Sequence, residues 1–157
     1  MKKIEKYYKL LTSLILAVVT FTSCEWDKSP EYDHPTCVTY AISSGILSFE
    51  GPEQLQRDIL AWIKENSIDY DKEVSYSTGE ASEFTKTDAE AIKKYNEEYL
   101  PKFKSYLDEL RRKLGLGTYG ELPNGKVRIL FYTTASRTQG QGGNLKYEQF
   151  EFNYPEP

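Results

Sequence analysis

A chain of 157 residues that is 39% hydrophobic and 28% charged has the ordinary balance of one globular domain, which excludes a long disordered chain and a polytopic membrane protein. Its net charge of -4 averages two unlike parts: residues 1–23 carry four Lys and one Glu, leaving 16 Lys+Arg against 23 Asp+Glu, or -7, on the remainder. An acidic protein of this kind has no generic attraction for nucleic acid.

The first part is a targeting segment. Lys2, Lys3, Lys6 and Lys9 precede an apolar run, Leu10 to Phe21, broken only by Thr12, Ser13 and Thr20. As a helix this run covers about 18 Å of a hydrocarbon core about 30 Å thick, which suits a signal peptide and not a stable span. Phe21-Thr22-Ser23-Cys24 then places two small residues before a cysteine. This order resembles the lipobox of bacterial lipoproteins, with Phe21 where that family usually has Leu. The resemblance implies cleavage before Cys24, a lipid on its thiol and a palmitate-type acyl chain on the new amino terminus. Several acyl chains at about 0.8 kcal/mol per buried CH2 hold a protein at a membrane permanently.

Residues 24–35 read as an acidic tether, because Glu25, Asp27, Glu31 and Asp33 outnumber Lys28 and two prolines interrupt the segment. Extended, about ten such residues reach on the order of 30 Å. Glu25 and Asp27 directly after the lipidated position also resemble the export signal that places some Gram-negative lipoproteins on the outer face of the outer membrane. The plainer alternative is a solvated tether facing the periplasm. Either way the expected location is the outer membrane of the cell envelope, lipid-anchored.

Residues 36–157 read as a single α+β domain. Cys37 to Phe49 is β-rich, either one bent strand or a hairpin, with Ser44-Gly45 as a turn or bulge. Gly51-Pro52-Glu53 opens a helix carrying Leu55, Ile59, Trp62 and Ile63, which ends near Asn66. Glu73 to Ser77 alternates as a short strand around Val74 and Tyr76. Thr87 with Glu90 forms a capping box for a long helix ending near Gly115 or Gly117, on which Ile92, Tyr95, Tyr99, Phe103, Tyr106, Leu110 and Leu114 share one face. Their mean spacing of about 3.67 favours packing on a sheet over a zipper. Pro101 removes a bond to the Glu97 carbonyl and predicts a kink or a split. Asp108 with Arg112 and Glu109 with Lys113 are expected i,i+4 pairs.

Pro123-Asn124-Gly125 is a turn, and Lys126 to Ala135 and Leu145 to Tyr154 are strands of an antiparallel hairpin with a glycine-rich tip. The order β-α-β-α-β-β predicts a two-layer α+β sandwich, a mostly antiparallel sheet with two helices on one face.

Candidate chemistry is sparse. His34 and Cys37 are the only soft-ligand pair, and a zinc site needs about four ligands, so no metal or cofactor is expected. With Cys24 lipidated, Cys37 has no disulfide partner in the chain and reads as a small buried residue at a strand start. The glycines at 140, 142 and 143 precede a strand, whereas a phosphate loop needs a following helix. Glu148 with Glu151, and Asp69 with Asp71, are carboxylate pairs whose separation would decide any glycosidase role; solvated surface charge is the expected reading.

Thirteen tyrosines are the one unusual feature. If Val127, Ile129, Phe131, Phe150, Phe152 and Tyr154 face the helices, then Arg128, Tyr132, Tyr147 and Gln149 look outward, with Gln139 and Gln141 at the hairpin tip. These six residues are the expected contact surface of a non-enzymatic envelope lipoprotein that binds a ligand or protein partner. A glycan- or peptide-binding module, a small inhibitor or immunity-type protein and, least favoured, an envelope hydrolase are the alternatives.

Overall fold

The computed structural model describes residues 35–75, 81–137 and 143–157, and residues 35–157 form one compact unit. Its elements are β1 (Pro35–Glu50), α1 (Glu53–Asn66), β2 (Ile68–Ser75), α2 (Ala81–Lys94), a π-helical turn (Tyr95–Tyr99), α3 (Leu100–Gly115), β3 (Val127–Arg137) and β4 (Gly143–Tyr154). The sheet has the order β2-β1-β3-β4 and every neighbouring pair is antiparallel. This is the expected α+β sandwich: α1 and the α2–α3 rod cover one face of the sheet.

Cys37 to Phe49 belongs to one strand of 16 residues, not a hairpin. Its irregularity falls between Ile46 and Ser48, so the bulged residue is Leu47 and not Ser44 or Gly45. The bulge keeps Ile46 and Phe49, three residues apart, on the same face, opposite Phe131 and Ile129. The second strand begins earlier than its alternation suggested, at Ile68, because Ile68 and Tyr70 pair with Ile42 and Tyr40 and pack on the core. Tyr76 and Ser77 lie outside the described residues.

Thr87 does not cap a helix, since α2 already begins at Ala81. Its side chain and that of Asp88 are used by the sheet instead. The Tyr40 hydroxyl lies 2.7 Å from both Thr87 Oγ1 and Asp88 Oδ1 and donates its proton to the carboxylate. The same carboxylate takes Arg137 Nη1 at 3.0 Å. Both charges are largely buried, so each neutralises the other's desolvation.

Pro101 lies in the first turn of α3, directly after the π turn. The backbone stays helical through Lys94 and Leu100, and the missing donor is absorbed by the π turn just before the proline. Tyr95, Tyr99, Phe103, Tyr106, Leu110 and Leu114 are all buried along the rod, with Ala91 in the fully buried position before Tyr95 and Ile92 half-buried. Phe103 meets Phe131 edge-on at 5.4 Å, and Trp62 of α1 stacks on Tyr106 at 4.3 Å, which locks the two helices side by side. On the outer face Arg112 forks onto Glu109 and Arg111 takes Asp108, so Asp108 pairs at i,i+3, one residue short of the expected Arg112.

Two tyrosines of the π turn carry hydroxyls into the apolar core, and the sheet supplies a partner for each. Tyr95 bonds Thr133, and Tyr99 bonds Ser44 at 2.7 Å. Either member alone would be a buried hydroxyl without its partner, which costs about 1–3 kcal/mol. Tyr99→Phe and Ser44→Ala should each destabilise the domain by that order in urea denaturation, and the double variant by clearly less than their sum.

Burial raises the tyrosine hydroxyls above their ordinary value near 10, Tyr40 and Tyr99 to about 12. A tyrosine is neutral when protonated, so the folded state holds these protons more tightly than the unfolded one. The associated stability is complete below pH 10 and is lost as pH rises towards 12. Alkaline titration followed at the tyrosinate absorbance should show a late-ionising class that appears together with unfolding.

Candidate functional site

Period-2 alternation sends every second sheet residue away from the helices. On β3 this places Val127, Ile129, Phe131, Thr133 and Ala135 in the core and Arg128, Leu130, Tyr132, Thr134 and Ser136 on the opposite face. The register then assigns β4: Phe152 opposes Ile129 in the core, while Asn153, Gln149 and Tyr147 oppose Arg128, Tyr132 and Thr134 in the open. Among the described residues no helix covers this open face.

Four of the six expected contact residues therefore share the face, and three of them converge. The rings of Tyr132 and Tyr147 are nearly parallel, 18° apart with centroids at 5.8 Å, and Gln149 Nε2 donates to the Tyr147 hydroxyl at 3.0 Å. Tyr147 is 46% exposed. Arg128 is on the same face but at the far end of the strand, at a cleft of about 600 Å³ that Lys126, Glu151 and Asn153 also line. Gln139 and Gln141 lie outside the described residues, as do Cys24, Glu25 and Asp27.

A glycine sets the position of the aromatic pair. Gly45 of β1 sits directly opposite Tyr132, and a Cβ there would stand within 2.6 Å of the Tyr132 Cζ and hydroxyl. The phenol thus occupies the space a side chain would take and lies down on β1. Sequence reasoning had assigned Gly45 to a turn or bulge; a glycine inside a strand pattern also signals close approach, and that signal was available.

The carboxylate pairs resolve differently. Glu148 opposes Thr133 on the helix-facing side, whereas Glu151 opposes Leu130 on the open side, so the sheet itself separates them. Asp69 and Asp71 share the open face on β2, and Asp71 Oδ1 accepts a bond from Thr39 at 2.7 Å. They lie on the edge strand, two strands away from Tyr132 on β3 and three from Tyr147 on β4.

Cys37 corrects two expectations. It alternates with buried Val38 and so points to the open face, only half-buried, opposite Glu73. It is also disulfide-bonded and not a lone buried thiol. His34 lies outside the described residues, and no cluster of three or more metal-ligating side chains occurs among the described ones.

No family model, no curated protein and no solved structure matches the chain. The chemistry of the face thus rests on its own geometry: a hydroxyl-bearing surface with one aromatic pair. Gly45→Ala should lift the Tyr132 ring and break its parallel arrangement with Tyr147, visible as altered aromatic ring-current shifts in NMR. Tyr147→Ala, at an exposed position, should change the melting temperature by no more than a few degrees.

Proposed function

We propose that this protein is a non-catalytic lipoprotein of the outer membrane whose open sheet face binds a partner in the cell envelope. The observation that carries the reading is the convergence of Tyr132, Tyr147 and Gln149 on a sheet face that no helix of the described residues covers. Tyrosine offers a large apolar area with a polar tip at low entropic cost, which is why aromatic anchors dominate binding energies. The division of Glu148 and Glu151 between opposite faces favours binding over acid–base hydrolysis.

The anchoring half of the reading rests on the N-terminal sequence: basic residues, a short apolar run and Thr22-Ser23-Cys24. No helix among the described residues is long and apolar enough to cross a membrane. Intact mass of protein extracted from membranes tests this half of the reading. A chain lacking residues 1–23 with acyl mass on Cys24 is expected; a soluble chain with an unacylated Cys24 would end the lipoprotein assignment. Glu25→Ala with Asp27→Ala should keep the lipid but remove the protein from protease reach at the cell surface, if those residues direct export.

For the face, a photo-crosslinking amino acid at Tyr147 should give a discrete adduct in living cells. The same probe at Leu60, which is 50% exposed on α1, serves as the comparison. Adducts from position 60 and none from 147 would place the interaction on the helix layer instead.

A further inference from the structure

One block of the open face carries no charge. Gly45, Tyr132 and Gln149 form a row across β1, β3 and β4, and Ser43, Thr134 and Tyr147 form the next row on the same face. A third row, Ala41, Ser136 and Asn144, continues the block, and Asn144 Oδ1 accepts the Thr134 hydroxyl at 3.3 Å. In a chain that is 28% charged, these nine neighbouring positions hold only hydroxyls, amides, two aromatic rings and the two smallest residues. Charged side chains resume at the borders, with Asp69 beside Ala41 and Glu151 one row on from Gln149. Rows on one face repeat about every 6.8 Å and strands about every 4.8 Å, so the block measures roughly 10 by 14 Å.

We infer that the ligand of this block is a neutral oligosaccharide whose sugar rings seat on Tyr132 and Tyr147; the inference rests on the binding role proposed above. Gly45 lets the Tyr132 ring lie down on β1, and the Tyr147 ring runs 18° from parallel to it, so the aromatic surface is formed before a ligand arrives. Rings already in place spare the ordering cost that binding otherwise carries. A pyranose presents a face of C–H bonds and a rim of hydroxyls, and the negative π-face of tyrosine attracts those polarised C–H bonds. Each sugar hydroxyl is one donor and two acceptors, and the block answers with both kinds. Gln149 gives one N–H to the Tyr147 oxygen and keeps its carbonyl and second N–H, while the Tyr147 hydroxyl keeps its own proton to donate. Asn144 keeps both of its N–H groups. An ionic ligand would find no counter-charge inside the block, and the aliphatic anchors of a protein partner would find no aliphatic side chain larger than that of Ala41.

The test uses full-length protein extracted from cells in a polyoxyethylene detergent, which has no sugar headgroup. It is passed over immobilised cellohexaose, maltohexaose, xylohexaose and N-acetylated chitohexaose, with oligogalacturonate and nona-arginine as charged comparisons. At least one neutral hexasaccharide should retain the parent protein. Tyr147→Ala and Tyr132→Ala should each weaken that binding about tenfold at unchanged circular dichroism, as expected for aromatic anchors. Tyr132→Phe, which keeps the ring, should weaken it less, and Gly45→Ala should weaken it with both tyrosines still present. An ionic strength of about 0.5 M, where charges are screened within about 4 Å, should leave the affinity unchanged, as should Glu53→Gln on α1. If no neutral hexasaccharide retains the parent more than the Tyr132→Ala/Tyr147→Ala double variant, the oligosaccharide is rejected. Retention only by oligogalacturonate or nona-arginine, abolished by salt, would replace it by an ionic ligand. When glycan binding is absent, a protein adduct from the crosslinker at position 147 would keep the face as a site and overturn only the ligand class. Adducts at position 60 but not 147 would remove the face itself.

Discussion

The one-sided covering of the sheet by the aromatic ridge of the α2–α3 rod is the constraint on which the rest of this structure depends. Tyr95, Tyr99, Phe103, Tyr106, Leu110 and Leu114 spend the rod's entire apolar stripe on one face of the sheet. With α1 beside it, anchored through Trp62 on Tyr106, the second layer takes up the helices of the described residues and leaves none of them for the other side. Because side chains alternate along a strand, fixing which face is buried fixes which residues are presented outward.

The ridge is not purely apolar, and that gives it register. Tyrosines in place of phenylalanines at 95 and 99 oblige the sheet to offer a hydroxyl opposite each, and Thr133 and Ser44 do so on neighbouring strands. Tyr40, Asp88 and Arg137 add a third polar tie nearer the start of the rod. Sliding the rod by one residue would leave these groups buried without partners, a cost that apolar contacts alone would not impose. The π turn belongs to the same solution, since it carries both tyrosines and accommodates the donor that Pro101 lacks.

On the outward side the design is the reverse. Small residues fill the middle of the face, two tyrosines lie together on β3 and β4, and Asp69, Asp71 and Glu73 line the β2 edge. Gly45 shows how closely the two sides are joined: its α-carbon lies in the strand that buries Ile42 and Ser44, while its missing side chain makes room for the Tyr132 ring. A change there would reach the aromatic pair without touching the core.

Much of this was legible in the sequence, for definite reasons. The order of the elements, the buried face of the long helix and the outward set Arg128, Tyr132, Tyr147 and Gln149 all follow from local periodicity, which the chain carries in each segment separately. What periodicity cannot carry is which strand lies beside which. The opposition of Gly45 to Tyr132, the separation of Glu148 from Glu151 and the gathering of Asp69, Asp71 and Glu73 on the tyrosine face depend on cross-strand register. Thr87 reads locally as a cap for the same reason, since the Tyr40 hydroxyl it meets is more than 40 residues away in sequence. The sequence by itself determined most of the elements and their inward and outward faces, because those are set by neighbours two positions apart in a strand and three or four apart in a helix. Only the tertiary structure decided the composition of the open face, because that depends on contacts between segments that no local pattern encodes.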